Sequence, residues 1–525
     1  MTTISQGELN DLSVLIVEDA RQALELLLRY QQKYGDDINF AGNKGGFLID
    51  IGSRLGDTEL VRQGIASIGE LLPRAREQSR PVLVYNLANG YAALHSIARR
   101  EPGFSFDPDD TPLREAKRRY RDALAGSEHL DANQRSGLRV NYGNCLASLG
   151  RSLEAISQYD AALRHAPDHP MAWGNLGVEL ERFAFVARDL AILRAANEGL
   201  LKALADHSLE QMGEDWGRPG FEKAQQRIAR LLSEVGEDTA LVRPEAPKTT
   251  TPYHQAYSEF CVKHELFLNF CLKDRPCDRV AEDAVSLSLA TSLDDNTTYP
   301  RLARLVNEIK ERYAVARLLL FEVCNPPFDT QPYDEMTYYA DNLDYAVYGI
   351  SPAKLKLAFE SAYNILDKLA FFVNAYLDLG IEERLVNFQR LWKETKTAPL
   401  RPAIVERGSW HLYGLYDLST DLAPTGYLEH LRLTRDYLTH RYLVLHVEEL
   451  HWLTSADGAG YHSGYRQLLR DTIELMRLVR SAVIYVIAFI DQEEHARRHQ
   501  VEKPIAPMRV PPYKHYPLGP QEAPV

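Results

Sequence analysis

The chain has 525 residues, a formal net charge of −13, and 45% apolar and 25% charged side chains. That length calls for two to four domains rather than one core, and that composition belongs to a folded chain, not a disordered one. The negative balance excludes non-specific coating of nucleic acid, so any RNA or DNA contact must come from a local basic patch.

In chain order, the opening MTTISQGELNDLS has no basic region followed by an apolar run, and no signal peptide is expected there. Residues 41–72 read as a helical hairpin turning at Leu55-Gly56-Asp57. Self-similarity then sets in between about residues 85 and 205. Asn141-Tyr-Gly-Asn is followed by Gly150, Ala155, Tyr159, Ala162 and Pro167, and the next Asn-Leu-Gly stands at 175–177 behind Trp173. Gly143 to Gly177 is 34 residues. Small residues at Gly143 and Ala155 allow two helices to approach closely, Tyr159 fills the gap beside them, and Pro167 ends the second helix. Looser copies flank this unit, from Asn86-Leu-Ala to Ala123 and from Trp173 to Ala203.

This pattern resembles the tetratricopeptide repeat (TPR). The resemblance implies a curved helical superhelix over 1–235 with a concave groove for a protein or peptide ligand. Asn86, Asn141 and Asn175 recur where TPR grooves often hold peptides, although capping or packing explains them equally well. Repeats of this kind bind partners and do no chemistry, so an active site belongs elsewhere.

Prolines, threonines and charges without helical periodicity mark a linker at 236–254. Beyond it, 255–500 carries long helical patterns at Tyr299–Cys324, Ser351–Leu379, Leu428–Leu450 and Tyr461–Arg498, with few alternating runs, so a sheet is not expected. The expected fold class is all-α. Ser481–Ile490 is the most apolar stretch, about half the length a bilayer requires. Lying between Arg480 and Asp491, it reads as a core helix and not a membrane segment. The tail from 501 to 525 is proline-rich. Five cysteines (Cys145, Cys261, Cys271, Cys277, Cys324) without CxxC spacing suggest buried, reduced thiols in a cytoplasmic protein, with no zinc knuckle.

Within LEHLRLTRDYLTHRYLVLHVEEL (428–450), a helical projection puts His430, Thr434, Arg441 and Glu448 on one stripe, the expected solvated face. Arg435 then falls among Leu431, Leu438 and Tyr442, and His440 among Leu433, Val444 and Val447. Burying such groups unpaired costs several kcal/mol, so each needs a partner, a cleft or a catalytic role.

Arg435-Asp436-Tyr-Leu-Thr-His440 resembles the R-x4-6-H motif of HEPN-domain ribonucleases, including the polar residue after the arginine. Tyr442 completes the longer form found in HEPN toxins that pair with a nucleotidyltransferase antitoxin, and the block 255–498 is similar to a bacterial TPR-associated HEPN family. The resemblance implies metal-independent RNA cleavage without a cofactor, leaving a 2′,3′-cyclic phosphate and a 5′-OH. His440 would be the acid/base, Arg435 the phosphate clamp and Asp436 an orienting group. It also implies a homodimer in which two motifs face one cleft, and a setting in antiphage defence or toxin–antitoxin biology. In related toxins the tyrosine is AMPylated, which makes Tyr442 a candidate modification site as well as a candidate core residue.

Two other readings stand beside this one: a catalytically inactive HEPN/TPR scaffold, and a peptide-binding regulator. Both would pair Arg435 with a buried carboxylate and leave His440 a satisfied core histidine. Arg164-His-Ala-Pro-Asp-His169 also fits R-x4-H but straddles Pro167, which marks it as a chance match. His446, Glu448, Glu449 and His451 crowd together without HExxH spacing, so no metal site is expected. Gly42-Asn-Lys-Gly-Gly46 lacks the frame of a phosphate-binding loop.

Overall fold

The computed structural model describes residues 3–35, 37–212, 217–235, 251–273, 275, 277, 279–287, 298–340, 345–395, 397–447 and 460–500. Most of the expected linker, the proline-rich tail, and Glu448, Glu449 and His451 lie outside these residues.

The first half is a train of helices: α1 (Gln6–Glu18), α2 (Ala20–Tyr34), α3 (Ile38–Leu55), α4 (Thr58–Leu71), α5 (Arg80–Arg100) and α6 (Thr111–Ala125). It continues with α7 (Ala132–Ser148), α8 (Ser152–His165), α9 (Pro170–Ala187), α10 (Leu190–Leu204) and α11 (Arg218–Val235). Side chains at the helix starts satisfy the first free amides. Ser5 and Glu8 form a reciprocal capping box on α1, and Asp57, Asp110 and Asp131 cap α4, α6 and α7. Gly56, at φ +70°, makes the expected turn between α3 and α4.

The 34-residue recurrence is a packing rule. A Cβ on Gly143 would meet the Tyr159 ring at 2.5 Å, and one on Gly177 would meet Leu200 at 2.7 Å. Glycine therefore leaves room for the Tyr159 ring between α7 and α8, and for Leu200 between α9 and α10.

The second half comprises α12 (Pro252–Lys263), α13 (Thr298–Cys324), α14 (Gln331–Asp334), α15 (Ile350–Leu377), α16 (Pro402–Val405), α17 (Trp410–Leu422) and α18 (Glu429–His440). After α18 come β1 (Tyr442–His446), β2 (Gly460–Gly464) and α19 (Tyr465–Gln500). Every residue from 481 to 490 is buried, as expected of a central core helix. No described helix is long and apolar enough to cross a membrane.

Two expectations are corrected. The helix expected to run to 450 stops at His440, because Arg441 leaves helical geometry at φ −141°, ψ −134°. The chain then enters a parallel pair, with Tyr442 opposite Gly460 and His446 opposite Gly464. Leu443, Val444 and Leu445 are all buried, and a short continuous apolar run fits a buried strand as well as a buried helix. The cysteines also differ from the sequence reading: Cys271 and Cys277 form a disulfide, and Cys324 is exposed.

The two halves share one continuous apolar core that includes Leu146 of α7, Leu415 of α17 and Phe489 of α19. Gly150 (φ +81°) brings the turn after α7 against the backbone of α17, where a Cβ would lie 2.7 Å from the Gly414 nitrogen. Four buried charges cross this junction. Lys117 Nζ lies 2.7 Å from Asp417 and 2.9 Å from Asp421, while Arg151 Nη1 lies 3.2 and 3.1 Å from the same two carboxylates. Burial pushes the Asp421 carboxyl up, but Lys117, Arg121 and Arg151 outweigh it and hold the group well below the usual carboxylate range. Tyr485 of α19 donates to Glu154 of α8, adding a second polar tie.

Candidate active site and basic cleft

The HEPN-like motif lies on α18, and the packing of that helix decides what its residues can do. Leu431 and Thr434 form its buried side. Thr434, expected on the solvated face, is 3% exposed and donates its hydroxyl proton to the His430 carbonyl at 2.8 Å. With the helix rotated in this sense, Arg435 is half-buried and the Thr439–His440 end is exposed.

Arg435 reaches the wall of a cleft between the halves. Its Nη2 lies 3.2 Å from Asp367 of α15 and its Nη1 3.2 Å from Asp436, with the Tyr363 ring centroid 5.6 Å away. Asp436 also accepts from Arg432 at 2.8 Å. Asp367 accepts the Phe388 amide proton at 2.9 Å. Burial raises the Asp367 carboxyl above its ordinary range, although the Phe388 amide and Arg435 pull the other way. The cleft encloses about 1090 Å³, and Arg114, Arg118 and Arg121 of α6 line it together with Arg432 and Arg435.

His440 does not line this cleft. Five residues along a helix rotate a side chain by about 140°, so Arg435 and His440 of one chain face different directions. The expected placement of His440 among apolar neighbours fails because the helix ends there. It stands exposed at the C-terminal end of α18, immediately before β1. Tyr442 begins β1 and is 46% exposed, its ring covering Gly460 of β2.

The three asparagines occupy the seams between hairpins. Asn141 Nδ2 donates to the Tyr85 hydroxyl at 2.8 Å and to Asn89 Oδ1 at 3.1 Å, and Asn175 Nδ2 donates to Asn144 Oδ1 at 2.8 Å. Tyr120 and Tyr159 donate to the same two acceptors, Asn89 and Asn144. Asn86 is half-buried against Gly46 of α3. Arg164 and His169 of the chance match are separated as Pro167 implies: Arg164 lies near the end of α8, and His169 caps α9 by accepting the Ala172 amide proton at 3.4 Å.

Several features went unread in the sequence. The basic wall of α6 had a signal in the run Lys117-Arg-Arg-Tyr-Arg121, which places three arginines on one helix. His446 and His462 stack across the strand pair with ring centroids 5.2 Å apart and nitrogens at 2.9 Å. His430 Nε2 lies 3.7 Å from Asp471, and that interaction raises the imidazole pKa. Among the described residues there is no group of three or more His, Cys, Asp or Glu that could hold a metal.

Residues 293–493 match the family model described as LA2681-like HEPN, which supports a HEPN domain in the C-terminal half. No curated protein matches the chain.

Proposed function

We propose that the chain is a metal-independent endoribonuclease of the HEPN type, active as a homodimer, with a TPR-like first half that docks a protein or peptide signal. The observation that supports this most is the setting of α18: Arg435 lies on a basic cleft while His440 is exposed at the helix end. Neither side chain is sealed in the core.

The chemistry needs one group to take the proton of a ribose 2′-OH and another to give a proton to the departing 5′-oxygen. The 2′-oxygen attacks the adjacent phosphorus, the P–O5′ bond breaks, and a cyclic phosphate and a 5′-OH result. Arginine carries its charge at all working pH values and places forked donors on the phosphate as negative charge grows. Asp436, 3.2 Å from Arg435, orients the guanidinium. Because His440 and Arg435 of one chain diverge, a second copy supplies the missing group, and two exposed histidines serve as acid and base. The family match supports the HEPN assignment; the ribonuclease activity and a role in antiphage defence or toxin–antitoxin biology rest on family resemblance.

One observation favours the inactive-scaffold reading: Arg435 is already paired with two carboxylates, Asp367 and Asp436. Incubating total bacterial RNA with wild type and His440→Ala in EDTA separates the two. Cleavage by wild type alone, with cyclic-phosphate ends, supports the enzyme. Equal cleavage by both removes His440 from the mechanism, and cleavage by neither favours the scaffold.

A further inference from the structure

We propose that the cleft between α6 and α18, continued past Arg121 and Tyr427, is a groove that grips single-stranded RNA by its phosphates. The inference builds on the proposed reading of RNA as the substrate and assigns the surface that holds it.

The charge distribution is the first argument. The chain as a whole is at −13, yet basic side chains lining the cleft outnumber acidic ones nine to six. A second cavity of about 580 Å³ adjoins it, sharing Arg121 and Tyr427. Its lining is again basic, seven to four, with Arg139 and Arg164 from the helical array and Lys273 and Arg477 from the second half. Burial, with Arg164 and Arg135 nearby, pushes the Arg139 pKa down.

Unmet hydrogen-bonding capacity is the second argument. Trp392 is 1% exposed, lines the larger cavity, and its indole Nε1 has no partner among the described residues. The Nε atoms of Arg114, Arg432 and Arg435 around the same cavity are also buried without partners, as is that of Arg139 in the second. Buried donors of this kind cost free energy unless something accepts from them. Phosphate and ribose oxygens are acceptors of the right sort for those of these side chains that turn toward the cleft.

Shape decides between a strand and a single nucleotide. Small-ligand pockets run to roughly 1,000 Å³, whereas here a cleft of that size lies beside a second one, with Arg121 and Tyr427 in both linings. Flat cationic faces punctuate the path. The Arg121 guanidinium lies 3.4 Å from the ring centroid of Tyr427, which is 53% exposed, and that of Arg114 covers the buried Tyr416 at 5.0 Å. Aromatic and guanidinium planes are the surfaces on which unpaired bases stack.

The test uses the full chain carrying His440→Ala, so that cleavage does not consume the probe, and a fluorescein-labelled oligouridine read by anisotropy. Arg118→Glu combined with Arg390→Glu reverses two exposed charges in the lining that lie outside the buried junction. We expect affinity to fall about tenfold or more, and the slope of log affinity against log salt to flatten by about 1.4, two phosphate contacts at about 0.7 each. Circular dichroism should be unchanged. Unaltered affinity and slope, or no binding by the His440→Ala chain, would overturn the groove. So would displacement of the strand by a micromolar nucleoside triphosphate, which would indicate a small-nucleotide site instead. Salt-sensitive binding through these arginines in a protein that never cleaves RNA would leave the groove standing while the nuclease reading fell.

Discussion

Asp417→Ala probes the junction that forms one wall of the cleft. The carboxylate holds Lys117 Nζ at 2.7 Å through both oxygens and Arg151 Nη1 at 3.2 Å. The Lys117 side chain is 5% exposed and the Arg151 side chain 6%, so neither can turn to water when its partner is removed. Lys117 is then left with Asp421 alone, which it shares with Arg151, itself also held by Glu154 at 3.1 Å. Removing one partner of a buried ion pair costs about 3–5 kcal/mol, because an uncompensated charge stays behind. Replacing both partners, with Lys117→Met and Asp417→Leu, leaves Arg151 and Arg121 balanced by Asp421 and Glu154 and should recover most of the loss, to within about 1–2 kcal/mol of wild type. Urea unfolding followed by tryptophan fluorescence suits the measurement, because the Trp410 indole donates to the Ala147 carbonyl across the same junction at 3.0 Å. A loss below about 1 kcal/mol for Asp417→Ala, or a double variant no more stable than the single one, would refute the argument that charge pairing holds the halves together.

Other outcomes follow from the same structure. His440 is exposed at the end of α18, so His440→Ala should lower cleavage by about 10²–10⁴-fold without moving the thermal midpoint; EDTA should leave wild-type cleavage intact, and His169→Ala should not alter it. Gly150→Ala should destabilise by about 2–4 kcal/mol in the same urea assay, combining a side chain at φ +81° with a clash against the α17 backbone. Asp421 is held below its unfolded pKa, so its contribution is present above about pH 4 and is lost as pH falls toward the folded value; acid titration should loosen the Trp410 contact first. The His430 pKa is raised by Asp471, so that contribution is full below about pH 6.5 and disappears as pH rises through the folded value. His430→Gln should flatten the slope of stability against pH in that window, and an unchanged slope would assign it to another group.

Much of the helical array was legible because its signals are local. Gly143 and Tyr159 meet across one hairpin, Gly56 turns another, and aspartates mark the helix starts, all within short stretches of chain. The long core helices were legible for the same reason. What escaped depended on distant partners. Leu443–Leu445 carries no period that separates a buried strand from a buried helix; its strand state depends on Tyr461–Ser463. Thr434 looked solvated because a projection gives relative angles and not which side meets α15 and α17. The motif arginine could be located, but its partner Asp367 lies 68 residues away in sequence. The cleft is assembled from α6 and α18, more than three hundred residues apart.

The strand pair bears on the motif more than on the fold. A histidine in the last position of a helix would ordinarily fray, since the final carbonyls lack partners and little holds the chain. Here Tyr442–His446 enters a parallel ladder at once, and the Leu443 carbonyl accepts from Lys356 of α15 at 2.7 Å. The Val347 amide donates to the Leu445 carbonyl at 2.8 Å. One turn earlier, Tyr437 stacks on Tyr461 of β2 with centroids 5.2 Å apart. His440 is thus exposed yet anchored on both sides. Anchoring an exposed side chain gains little for stability, whereas positioning an acid/base to a fraction of an ångström requires such support. The same bracing gives a fixed surface for the second copy that the proposed mechanism, with one histidine per chain, calls for.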